Sequence, residues 1–104
     1  VVPAGKTLLL PLGLAVAVPV GYELQIRPIS SLALKGILVA NSPGTVGACY
    51  RGELCVVLLN TTSADYLIAQ GDPIAQAVAA AVPFCEFLAD TREGVASSGF
   101  GGGV

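Results

Sequence analysis

Tyr22-Glu23-Leu24-Gln25-Ile26-Arg27 decides the fold. Tyr, Leu and Ile fall on one side of a pleated strand, and Glu, Gln and Arg fall on the other; this two-residue period belongs to a strand and not to a helix. Outward from it, the chain continues as short apolar runs, each ended by Gly or Pro. Strands are predicted over residues 7–10, 14–18, 22–27, 37–40, 53–59, 66–69, 74–81 and 85–88. The run Leu54-Cys55-Val56-Val57-Leu58-Leu59 is apolar on both faces and suits a strand covered on each side. One helical turn is predicted over residues 30–35, with Ser30 or Ser31 as its cap. The Ala-rich stretch 74–81 has helical propensity, but Pro73 and Pro83 close it off at strand length. Evenly spaced short strands with Gly/Pro turns point to an all-β sandwich or barrel.

Composition adds a second demand. Apolar residues make up 54% of the 104-residue chain and charged residues 12%, against about 45–50% and about 25% in ordinary domains. A single domain of this size cannot hide that much apolar surface alone. A membrane span is not expected, because the longest apolar stretch, residues 8–20, is interrupted by Pro11, Gly13 and Pro19, and residues 74–82 are too few. Burial against other copies of the chain is the better account. Net charge is −2 with five scattered basic residues, so no nucleic-acid partner is expected. The absence of His excludes a Ser-His-Asp triad and a His-based metal site. Cys49, Cys55 and Cys85 are odd in number and lack CxxC spacing; free thiols in the cytoplasm or another reducing compartment are expected. No signal or transit peptide is visible, and a chain that begins at Val1 and contains no Met is expected to be a fragment, a processed product or an edited sequence.

Four segments, in order, carry a resemblance. Pro28-Ile29-Ser30-Ser31-Leu32-Ala33 resembles P-R-S-[GS]-L-A, the second motif of the homotrimeric dUTPase family. Asn41-Ser42-Pro43-Gly44-Thr45-Val46-Gly47-Ala48-Cys49-Tyr50-Arg51-Gly52-Glu53 is similar to its third, N-x-P-G-T-I-D-x-D-Y-R-G-E. Gly71-Asp72-Pro73-Ile74-Ala75-Gln76 resembles the fourth, G-D-R-I-A-Q, and Gly99-Phe100-Gly101-Gly102-Gly103 a weakened fifth, G-F-G-S-T-G. The first motif, A-G-x-D-L, has no counterpart. The resemblance implies a dUTPase-like distorted jelly roll or β-barrel over residues 1–96, with a Gly/Ser-rich tail at 97–104. It implies a homotrimer with active sites at subunit interfaces, and hydrolysis of dUTP to dUMP and diphosphate with Mg²⁺ on the triphosphate. A trimer would also absorb the apolar excess.

Splitting a phosphoanhydride with water requires a carboxylate to orient and deprotonate the water, and cations to hold the phosphates. The position matching the family's water-activating Asp is Gly47, and the motif's second acid is Cys49. The two matching arginines are Ile29 and Pro73. No catalytic residue is therefore intact, and no cofactor is expected unless the family activity, and with it Mg²⁺, is retained. Glu23, Glu53 and Asp72 are the candidates for a substitute carboxylate.

By resemblance, Ser30 and Gln76 match phosphate-contacting positions, Asn41 lies near a uracil pocket, Tyr50 packs on deoxyribose and Phe100 stacks on uracil. Each residue also has a purely structural reading: Ser30 as a helix cap, Gln76 as a hydrogen-bonder, Asn41 as a turn residue, Tyr50 as a half-buried aromatic and Phe100 as part of a loose tail. Arg51 and Glu53 are expected to pair on a surface or across a subunit boundary, and Asp72 to serve a turn. Scaffold residues survive while catalytic charges are replaced, a pattern that drift and deliberate redesign would both leave. Three functions stay open: a trimeric structural or binding module without catalysis, an active dUTP diphosphatase of nucleotide metabolism, and a non-hydrolysing, weak binder of dUTP or dUMP.

Overall fold

A computed structural model describes residues 1–91. Two antiparallel three-stranded sheets face each other. One has the order β1-β5-β3, from β1 (Thr7–Ala15), β5 (Glu53–Asn60) and β3 (Ile37–Val39). The other has the order β4-β2-β6, from β4 (Gly44–Val46), β2 (Tyr22–Arg27) and β6 (Gln76–Ala81). The single helical turn is α1 (Ser30–Ala33). No pairing joins the sheets into a closed barrel among the described residues, so the all-β expectation stands while barrel closure is not found.

The central strands carry the core. In β5, Leu54, Val56, Leu58 and Asn60 point inward and are buried, whereas Cys55, Val57 and Leu59 are half-buried on the outer face. With Val2, Ile26, Leu32, Ile37 and Val39 they fill the space between the sheets. β2 is central in the second sheet, and its polar residues form a ladder. Gln25 Nε2 donates to Glu23 Oε2 at 2.7 Å, and the Arg27 guanidinium donates to Gln25 Oε1.

The only fully buried polar side chain among the described residues, Asn60, is satisfied on every side. Its amide donates to the carbonyls of Val2 (2.9 Å) and Ala64 (2.8 Å), and its oxygen accepts from Thr62 N (2.9 Å) and Oγ1 (2.7 Å). It thereby ties the N-terminal segment and the loop after β5 to the core.

Several boundaries differ from expectation. The strands predicted at 7–10 and 14–18 merge in β1: Pro11 is tolerated because β1 is an edge strand, and Gly13 (φ +71°) lets the register slip between Pro11 and Ala15. β4, three residues long, was not anticipated; it pairs Thr45 with Gln25. Residues 66–69 make a single bridge, Val2 to Tyr66, and residues 85–88 form no strand. The cap of α1 is Ile29, extended at φ −106°, with no side-chain cap bond, so Ser30 is the first helical residue and not the cap. The tail boundary at residue 97 and Phe100 lie outside the described residues.

Candidate functional site

The loop between β4 and β5 folds back on itself. Tyr50 N donates to Gly47 O at 3.1 Å, closing a turn over residues 47–50. The Arg51 guanidinium donates to the carbonyls of Ala48 and Tyr50, which braces the same turn, so within the single chain the surface pair with Glu53 does not form. The Tyr50 hydroxyl donates to Glu53 O at 2.6 Å. This reach depends on Gly52, where an added Cβ would lie 2.6 Å from the Tyr50 oxygen and 2.8 Å from its Cζ. Glu53 turns its carboxylate the other way, and Oε2 accepts from Gly13 N at 2.7 Å. The positive φ of Gly13 thus presents an amide to the acid.

Beside this loop lies a cleft of about 270 Å³ lined by Asn41, Thr45, Gly47, Tyr50, Glu53 and Cys55, with Leu9, Val46, Leu54 and Val57 as its apolar wall. Its floor is the outer face of β1 and β5, where Leu9 stands opposite Val57. Asn41 packs its amide against Gly44, where a Cβ would come within 3.2 Å of Nδ2. At Gly47 an added Cβ would meet nothing within 4 Å, so the absent side chain has left open space.

Of the expected site residues, Asn41, Gly47 and Tyr50 come together in this cleft, whereas Ser30, Gln76, Ile29 and Pro73 do not line it. Gln76 Nε2 donates to Pro28 O at 3.0 Å, which ties β6 to the entry of α1, where Ser30 is exposed. Gln76 thus makes the structural bond foreseen for it. Ile29 packs half-buried against the core, and Pro73 is exposed, lining a separate pocket with Lys35 and Asp72.

Of the three candidate substitute carboxylates, Glu53 alone lines the Gly47 cleft. Glu23 accepts from Gln25, and Asp72 accepts from Ala69 N at 2.9 Å, serving the turn before β6 as expected. Thr45 and Cys55 were not anticipated as lining residues. The signal for Cys55 was present, because residues 53, 55 and 57 share one face of β5. The three cysteines are free; Cys49 and Cys85 are exposed and Cys55 is half-buried. Among the described residues no three Asp, Glu or Cys side chains gather as metal ligands. The cleft's single carboxylate, already hydrogen-bonded to Gly13, does not fit a protein-held Mg²⁺. No helix among the described residues is long and apolar enough to cross a membrane.

Comparison with known proteins places this geometry. A sequence profile of the dUTPase family matches residues 1–102. The deoxyuridine 5'-triphosphate nucleotidohydrolase of Caulobacter vibrioides is 51% identical over 84 residues, covering 80% of this chain and 54% of that protein. The protein of the same name from Chlamydia caviae is 46% identical over 99 residues, covering 93% of this chain and 67% of that protein. The chain therefore spans about half the length of the Caulobacter relative and about two thirds of the Chlamydia one. Among solved structures, native EIAV dUTPase superposes with a TM-score of 0.73 over 88% of this chain and 76% of that one, at 20% identity, a likeness of fold. Two facing antiparallel sheets, the Asn41–Glu53 loop and a profile match across nearly its whole length establish that the chain belongs to the dUTPase family.

Proposed function

We propose that the chain is a homotrimeric module of the dUTPase family that has lost hydrolysis and holds the deoxyuridine part of a ligand in the cleft formed by Asn41, Thr45 and Tyr50. The observation that carries this reading is position 47. Where the reaction needs a proton acceptor there is a glycine facing open space, and the two matching arginine positions hold Ile29 and Pro73. An anhydride bound there would meet no carboxylate at position 47 and no cationic clamp among the described residues that line the cleft.

The homotrimer is supported from two directions. Large apolar side chains stand exposed, among them Val20 (93%), Leu34 (89%), Phe84 (90%), Phe87 (80%) and Leu88 (82%), more than a lone small domain leaves in water. The site residues also fall into two groups, Asn41 with Tyr50 in the cleft and Ser30 with Gln76 beside Pro28. A site assembled between protomers would unite them. Static light scattering is expected to return about 31 kDa, three times the 10.4 kDa chain, and a monomer mass would count against the assembly.

A second reading is favoured by a specific observation. Glu53 lines the cleft, and only its Oε2 is engaged by Gly13, so an active dUTP diphosphatase using Glu53 as substitute base is its concrete form. Loss of diphosphate release in Glu53→Gln, from a wild-type chain that has it, would establish that reading in place of the first.

A further inference from the structure

We propose that the cleft selects the uncharged pyrimidine nucleoside over its phosphorylated forms. This rests on the reading that the cleft takes the deoxyuridine moiety, and adds to it a preference about charge. Glu53 is the one ionisable acid or base of Asp, Glu, Lys or Arg type that lines the cleft, and it is negative. The described cations are directed elsewhere: Arg27 donates to Gln25, Lys35 lies 5.9 Å from the centroid of the Tyr66 ring, and Arg51 is bound to the carbonyls of Ala48 and Tyr50. Lys6 does not line the cleft either.

The remaining chemistry suits a neutral heterocycle. The Asn41 amide and the Thr45 hydroxyl donate to and accept from no described side chain or backbone group, so both are available to a ligand. An amide presents a donor and an acceptor side by side, matching the alternating N–H and C=O groups on a pyrimidine edge. The Tyr50 ring, pinned through its hydroxyl to Glu53 O, offers a flat apolar surface, and Val46 and Val57 extend it. At about 270 Å³ the cleft sits just below the ~300–1,000 Å³ usual for drug-sized ligands, which fits a base and sugar better than an added triphosphate. Each phosphate would add negative charge near the Glu53 carboxylate, with no cation among the described lining residues to offset the repulsion.

The test is titration of the full chain with deoxyuridine, dUMP and dUTP at low ionic strength without divalent metal, read by calorimetry. Deoxyuridine is expected to bind at least about tenfold more tightly than dUTP, with dUMP between them. Raising the salt is expected to narrow the gap by screening, and so is Glu53→Gln; the salt series carries the test if that variant folds poorly. Equal or tighter binding of dUTP would overturn the charge preference while leaving deoxyuridine recognition standing. No heat from any of the three at millimolar concentration would remove both.

Discussion

Gly47→Asp, alone and then with Pro73→Arg and Ile29→Arg, probes the account where the structure is most permissive. At position 47 a new Cβ meets nothing within 4 Å, and φ lies outside the left-handed region, so the aspartate should change stability by no more than about 0.5 kcal/mol. Pro73 is exposed, and an arginine there has room in solvent. Ile29 differs, because it is half-buried against the core; replacing it forfeits roughly half of an isoleucine's burial, about 1 kcal/mol, partly recovered by the arginine stem. The triple variant should therefore fold. Against that modest cost, a positioned general base contributes about 10²–10⁴-fold to a proton-transfer step, and cations add to it by stabilising charge in the transition state. Diphosphate release from dUTP and Mg²⁺, followed by a coupled colorimetric assay, should rise by at least about 10²-fold over the unmodified chain. A folded triple variant no faster than its parent would refute the assignment of positions 29, 47 and 73 as the vacated catalytic places.

Other outcomes follow from single contacts. Asn60→Asp sets an oxygen where the amide donated to Val2 O and Ala64 O at 2.9 and 2.8 Å, and urea unfolding should show a loss of about 3–5 kcal/mol; a loss under 1 kcal/mol would contradict the network. Gly52→Ala puts a methyl where the Tyr50 phenol lies, so the Tyr50–Glu53 hydrogen bond should break and nucleoside affinity fall by about tenfold; unchanged affinity would dissociate Tyr50 from the cleft. Gly36→Ala combines φ +81° with approaches of 2.8 Å to Thr61 Oγ1 and Thr62 Cγ2, and should cost about 2 kcal/mol or more by thermal unfolding.

The parts of the fold that were legible in sequence are those where burial writes a simple period. β2 carries a clean alternation, and its boundaries are as read. β5 was correctly placed as a strand, though a continuous apolar run hides that only one of its faces is buried in the single chain. Pro11 and Gly13 looked like punctuation because their usual role is to end elements; on an edge strand they make an irregularity within β1 instead. β4 was invisible because three residues carry no period, and residues 85–88 misled because apolar content stands for burial only when something covers it. At the site, motif order placed Asn41, Gly47 and Tyr50 together. The Glu53–Gly13 hydrogen bond was not legible, since it joins residues forty apart through a glycine's backbone amide. Arg51 and Glu53 look like a pair by charge, yet carbonyl acceptors within its own turn claim the guanidinium first.

The most direct measurement is diphosphate release by the unmodified chain from saturating dUTP and Mg²⁺. With glycine at position 47 and no cation among the described residues that line the cleft, turnover should sit at least about a hundredfold below the ~1–10³ s⁻¹ of ordinary enzymes. Turnover within that ordinary range would contradict the claim that the catalytic apparatus is gone.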